Sequence, residues 1–149
     1  MALPDPNPAL AGRAVIVTGG GAGHDHGVAK AFAERGASVA VVGRRVEPLD
    51  DVVAEIEGDG GRALAVQGDV GVAGDVRRMI DATVARFGRL DVLVNNAQGY
   101  RHAFLLDATD GDMDLVWRTG PLASFRSMKA AYPYLKESNG LIVNFGSGT

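Results

Sequence analysis

Five short runs of β-branched and aliphatic residues recur along the chain, and they constrain the fold more than any other feature. They are Arg13-Ala14-Val15-Ile16-Val17, Ser38-Val39-Ala40-Val41-Val42, Ala63-Leu64-Ala65-Val66, Leu90-Asp91-Val92-Leu93-Val94 and Leu141-Ile142-Val143-Asn144-Phe145. Apolar residues at consecutive positions mean that a strand built from such a run hides both of its faces. The segments between them have helical period. Leu49, Val52, Val53 and Ile56 fall at i, i+3, i+4, i+7, and Val72, Val76, Met79, Ile80, Val84 and Phe87 form a second stripe. Both stripes read as core faces. Two-sided buried strands alternating with helices specify an α/β fold, a parallel sheet covered on both sides. Right-handed crossovers then bring every strand's carboxyl end to one edge, where ligands of such sheets bind.

The chain of 149 residues suits one domain but is short for a complete two-halved dinucleotide-binding sheet. Pro4, Pro6 and Pro8 forbid a regular helix at the start, so residues 1–11 are expected to be a flexible arm, with the fold beginning near Gly12 and running to Thr149. A net charge of -3 gives no electrostatic reason to expect nucleic acid as partner. No apolar run approaches the ~20 residues that span a bilayer, so no membrane association is expected. With no cysteine, thiolate chemistry and disulfides are excluded. A soluble, cytoplasmic protein is the expectation.

Immediately after the first run stands Thr18-Gly19-Gly20-Gly21-Ala22-Gly23-His24-Asp25-His26-Gly27, leading into a helical segment that stops at Gly36. A strand, a glycine turn and a helix start make an anion site, because small residues let backbone amides approach a pyrophosphate and the helix dipole favours its charge. A plain βα loop has the same composition. His24 and His26 suggest a metal, but residues two apart on a helix diverge and no further ligand cluster is evident, so no metal is expected. After the second run comes Gly43-Arg44-Arg45, with no acid where an NAD-binder would carry one for the ribose hydroxyls. Arg44 can instead make a bidentate contact with a 2'-phosphate, favouring NADP over NAD; a solvated surface pair is the bland alternative.

Thr18-Gly19-x-x-x-Gly23-x-Asp25 resembles the Thr-Gly-x-x-x-Gly-x-Gly signature of the short-chain dehydrogenase/reductase family, with Asp25 in place of the third glycine. Asp69-Val70 after the third run resembles the family's adenine-binding Asp-Val step. Asn95-Asn96-Ala97-Gln98 after the fourth resembles its Asn-Asn-Ala-Gly, with Gln98 replacing the glycine. The resemblance implies a Rossmann-type doubly wound sheet of order 3-2-1-4-5, truncated before its last strands. It also implies a coenzyme site made by Gly19, Gly21, Gly23, His24, Arg44, Asp69, Val70, Asn95 and Ala97.

By the same resemblance, Ile142-Val143-Asn144-Phe145-Gly146-Ser147 makes Ser147 the catalytic serine that hydrogen-bonds the substrate oxygen. The family's tyrosine and lysine would follow it; Tyr132 and Lys136 have their spacing but precede the serine and are read as a decoy. The family's relay asparagine falls at Gly120, where Pro121 is expected to keep a helix bend while the side chain is lost. The implied function is NADP-dependent hydride transfer between nicotinamide and a small carbonyl or alcohol substrate, in a homo-oligomer, and inactive as a 149-residue chain. The alternative is a non-catalytic nucleotide-binding or scaffold protein on the same fold, motivated by Asp25, Gln98 and Gly120. The fifth run is expected at an open, apolar sheet edge, a template for association unless more polypeptide covers it.

Overall fold

The computed structural model describes residues 9–21 and 24–146, with the side chains of His24 and Asp25 left out. The chain runs β1 (Ala14–Thr18), α1 (His24–Glu34), β2 (Ser38–Gly43), α2 (Val46–Gly58), β3 (Arg62–Gln67), α3 (Ala73–Phe87), β4 (Val92–Asn95), α4 (Asp110–Thr119), α5 (Pro121–Ser138) and β5 (Leu141–Asn144). All strand pairs are parallel and the sheet order is β3-β2-β1-β4-β5, as expected.

The side-chain alternation of a strand divides the core in two. Val15 and Val17 of β1 join Val39, Val41, Val92 and Val94 beneath Ala29 of α1 and Leu49, Val52 and Ile56 of α2. Ile16, Ala40, Val42 and Leu93 point the other way, against Val76, Met79 and Ile80 of α3 and Ala131 and Leu135 of α5. Both faces of the central strands are therefore dry. The α3 stripe differs from expectation at one end: Val72 is the residue before the helix, with φ -109 and ψ 118, and its side chain is exposed.

Residues 1–8 of the expected arm lie outside the described residues. Leu10, however, already belongs to the fold: its N–H donates to the Arg35 carbonyl at 2.9 Å, and its side chain packs on the α1/α2 core.

At the amino edge of the sheet, Asp91 precedes β4 and is nearly inaccessible. Its carboxylate accepts from Arg13 Nη1 at 2.7 Å, from Arg89 Nε and Nη2 at 2.7 Å each, and from the Ala14 N–H at 2.9 Å. Burial pushes its pKa up, but the bonds from Arg89, the Ala14 amide and Arg13 outweigh that and hold it below the ordinary value. One carboxylate thus ties the start of β1 to the start of β4.

The helix bend expected at Gly120-Pro121 is a full break between two helices. Gly120, at φ -97 and ψ -95, separates α4 from α5, and Pro121 opens α5 at a position where its missing N–H costs nothing within α5. Thr109 and Asp112 form a capping box at the start of α4. β5 pairs only with β4, and Leu141 and Phe145 are about half exposed, as expected of an open edge among the described residues.

Candidate functional site

The carboxyl ends of β1, β2, β3 and β4 bring together the loops that begin at Gly19, Arg44, Gly68 and Asn96. Thr18 organises two of them. Its buried hydroxyl donates to the Val94 carbonyl at 3.2 Å and accepts from the Asn96 and Ala97 N–H groups at 3.0 and 3.1 Å. One donor and two lone pairs are all used, which fixes the loop after β4 against the end of β1.

Glycine in the first loop serves shape rather than donation. Gly19 has φ +84, and the Gly19 and Gly20 N–H groups both reach the Val42 carbonyl, at 2.8 and 3.1 Å; the Gly21 N–H turns back to the Gly19 carbonyl at 2.8 Å. All three amides are therefore engaged within the chain. The amides of the first turn of α1 have no intrahelical acceptor, the feature that makes a helix start suited to an anion. Gly23 and the side chain of His24, both expected to line the coenzyme, lie outside the described residues. A Cβ at Gly20 would stand 2.9 Å from Val41 Cβ and 3.3 Å from the Val17 carbonyl oxygen. Gly20→Ala is accordingly expected to lower stability by about 1–3 kcal/mol through overpacking; an unchanged urea midpoint would show that the loop yields freely.

Arg44, Gln67, Gly68, Asp69, Asp75 and Arg78 line a surface pocket of about 430 Å³. Gln67 Nε2 donates to the Arg44 carbonyl at 3.1 Å, joining the ends of β2 and β3. Asp75 accepts from the Asp69 N–H and from Arg78 Nη2, both at 2.8 Å, and these bonds, the backbone one foremost, hold its pKa below the ordinary value. Arg78 also donates to the Gln67 carbonyl at 2.7 Å. The Asp69 side chain accepts from the Gly71 N–H at 2.8 Å, closing a turn rather than capping α3. Val70 beside it is buried. The Arg44 guanidinium is exposed and has no ion pair with any described residue. Arg78 and Asp75 were not singled out from sequence; the i, i+3 spacing at the start of a helix was the available signal.

The loop after β4 carries the next expected residues. Asn95 is buried, and its amide donates to Asn144 Oδ1 at 2.9 Å, bracing β4 against β5. Ala97 is held by Thr18, as described. Thr119 at the end of α4 grips the following step: its hydroxyl accepts from the Gly99 N–H at 2.7 Å and donates to the Leu115 carbonyl at 2.7 Å. Gln98 is thereby set over the break at Gly120. Tyr132 and Lys136, the decoy pair, sit in α5 beside Gly140 and Leu141, where β5 begins, at the edge opposite the loops. Ser147 lies outside the described residues. His26 bonds Glu55 of α2, which also pairs with Lys30, so that imidazole links two helices. Among the described residues no cluster of three His, Cys, Asp or Glu forms, and no helix is long and apolar enough to cross a membrane.

Comparison with known proteins agrees with this arrangement. The family model described as short chain dehydrogenase matches residues 13–149. Peroxisomal 2,4-dienoyl-CoA reductase of Arabidopsis thaliana is 36% identical over 126 residues, covering 85% of this chain and 42% of that protein. Among solved structures, a short chain dehydrogenase from Burkholderia cenocepacia in complex with NADP is 39% identical with TM-score 0.87, over 93% of this chain and 56% of that one. A 7α-hydroxysteroid dehydrogenase complexed with NADH and 7-oxo glycochenodeoxycholic acid is 30% identical with TM-score 0.89, over 95% and 55%. The chain thus spans about half the length of the relatives it matches. A family match over nearly the whole chain, on a sheet of the expected order with its loops gathered at one edge, places this protein in the short-chain dehydrogenase family.

Proposed function

We propose that the chain provides the coenzyme-binding half of an NADP-dependent oxidoreductase acting on a small carbonyl or alcohol. The observation that carries the coenzyme choice is Arg44: a guanidinium with no ion pair to any described residue, just past the end of β2 in a pocket of about 430 Å³, with no acid at that strand end to take ribose hydroxyls. Solved relatives hold either NADP or NADH, so family membership alone leaves the coenzyme open. The pocket fits the adenosine end of the dinucleotide. Arg44 would meet the 2'-phosphate and Asp69 the adenine, with Val70 beside it; the first turn of α1 would receive the pyrophosphate; Ala97, fixed by Thr18, would approach the nicotinamide ribose. Asn95 acts on the site through the sheet, since its amide already bonds Asn144.

When bound, the coenzyme supplies or accepts the hydride. Ser147 would hydrogen-bond the substrate oxygen where charge develops, and the proton-donating groups of the family follow it in the resemblance. A homo-oligomer in the cytoplasm belongs to the same proposal; the peroxisomal name of one relative marks the rival compartment.

Fluorescence titration of the protein with NADPH and NADH tests the coenzyme reading. Tighter NADPH binding is expected, with Arg44→Ala weakening NADPH about tenfold and leaving NADH unchanged, the loss of a charge-assisted contact worth about 1.5 kcal/mol. Equal losses for both nucleotides would place Arg44 away from the 2'-phosphate.

A further inference from the structure

Every hydrogen-bonding atom of Asp69 except one is engaged within residues 69–75. Its N–H donates to Asp75 Oδ2 at 2.8 Å, its carbonyl accepts from the Val72 N–H at 2.9 Å, and its Oδ1 accepts from the Gly71 N–H at 2.8 Å. Its Oδ2 has no hydrogen bond to a described residue. The carboxylate is thereby left with one oxygen for a donor in the pocket that it lines with Arg44, Gln67 and Gly68.

A side chain six residues further on holds Asp69 in this state. Asp75 sits in the first turn of α3, and Val72, which precedes the helix, offers no side-chain cap. Instead of closing a capping box on that residue, the Asp75 carboxylate reaches past it to the Asp69 N–H and is itself held by Arg78 Nη2 at 2.8 Å. Arg78 Nη1 donates to the Gln67 carbonyl at 2.7 Å, so the guanidinium spans from α3 to the end of β3. A Cβ on Gly68 would stand 3.3 Å from Asp75 Cβ and 3.5 Å from Arg78 Nη2; the missing side chain at Gly68 lets the pair close over the strand end. The Arg78 and Asp75 side chains are 53% and 30% exposed, an ion pair too wet to add much stability. Its effect lies in where it puts Asp69.

We propose that Asp75 and Arg78 are positioning residues that set which purine base the coenzyme pocket accepts, by presenting the Asp69 carboxylate in one orientation and as an acceptor only. This rests on the coenzyme reading, in which Asp69 meets the adenine. An ionised carboxylate accepts a hydrogen bond from the 6-amine of adenine, but it meets the oxygen of a 6-oxo purine without a proton between them. Freeing the Asp69 backbone lets the carboxylate turn away from that oxygen, so base discrimination is lost before dinucleotide binding. The Arg44 guanidinium stands outside this network, which reaches only the Arg44 carbonyl, through Gln67 Nε2 at 3.1 Å. Preference for the 2'-phosphate is therefore independent of the pair.

The test is fluorescence titration of the full-length protein with NADPH, NADH and deamino-NADPH, in which a 6-oxo group replaces the adenine 6-amine. The wild type is expected to bind NADPH about tenfold or more tighter than deamino-NADPH, the loss of one charge-assisted hydrogen bond. Asp75→Ala and Arg78→Leu are each expected to reduce that ratio to about threefold or less, while the preference for NADPH over NADH stays within about twofold of wild type. Arg78→Lys is expected to recover part of the ratio, because an ammonium can still pair with Asp75 but cannot also span to the Gln67 carbonyl as a planar fork does. Arg78 is exposed enough for Arg78→Leu to fold with Tm within about 5 °C of wild type, so the result does not depend on Asp75→Ala being stable. An unchanged ratio in Arg78→Leu overturns the proposal, and so does an equal loss of affinity for all three nucleotides, which marks a merely structural role. A wild type that binds neither NADPH nor NADH removes the coenzyme reading and this proposal together. A wild type that binds NADPH and deamino-NADPH equally removes the proposal and leaves the coenzyme reading standing.

Discussion

Gly140→Ala is expected to destabilise the protein by about 3 kcal/mol or more, the largest effect of any single added methyl group in the described fold. A Cβ there would stand 2.3 Å from the Asp91 carbonyl oxygen, 3.0 Å from the Asp91 carbonyl carbon and 2.9 Å from Ser138 Oγ. None of these atoms is the loose end of a long side chain. The Asp91 oxygen already accepts from the Leu141 N–H at 2.9 Å, the Gly140 N–H is fixed on the Leu135 carbonyl at 2.8 Å, and Ser138 Oγ donates to the Leu90 carbonyl at 2.6 Å. The junction between α5 and β5 would have to move away from β4 as a unit, breaking these bonds. Urea denaturation followed by circular dichroism measures the loss. Gly74→Ala is the matched control: nothing lies within 4 Å of its Cβ position in α3, so a gain of about 0.5–1 kcal/mol from helix propensity is expected. Similar urea midpoints for the two variants would refute the packing argument at Gly140.

Asp91→Ala is expected to cost about 3 kcal/mol at neutral pH. The substitution strands the Ala14 N–H, which is buried, and leaves Arg13 and Arg89 facing one another without the carboxylate between them. Both arginines are about half exposed and regain water, which keeps the cost below that of a fully buried pair. The pH dependence follows from the depressed pKa. A carboxyl held below its ordinary value of 3.8 stabilises the fold above that value and ceases to do so as pH falls through the folded pKa. The stability gap between wild type and Asp91→Ala should therefore be full at pH 7 and close on acidification below about pH 4. A gap that persists undiminished in acid would mean that the side chain acts through packing and not through its charge.

Much of the architecture was legible along the chain. Apolar runs such as Val15-Ile16-Val17 and Val39-Ala40-Val41-Val42 hide both faces, and only a parallel sheet covered on both sides uses such strands throughout. Leu49, Val52 and Ile56 marked the buried face of α2 because helical period is a local property. Boundaries were less legible: Leu10 joins the core because Arg35 offers it a carbonyl, and Val72 leaves the α3 stripe because it precedes the helix. At the candidate site, the described loops after β1 to β4 share one edge of the sheet, and what each residue does there depends on its partners. Gly19 and Gly21 shape the loop with their amides already bonded, and Asn95 braces Asn144 across the sheet.

By itself the sequence determined the alternation of strands and helices, the edge at which their loops meet and the residue types available there, since these follow from periodicity, turn chemistry and the handedness of crossovers. Only the tertiary structure decided which distant groups share a bond or a volume. Arg13 and Asp91 are 78 positions apart, Thr18 and Ala97 are 79, and neither pairing leaves any trace in local composition. The contact between Gln98 and the side of Gly120 is of the same kind: it exists because Thr18 and Thr119 clamp one loop from opposite sides, and that follows from packing the sheet, not from reading along it.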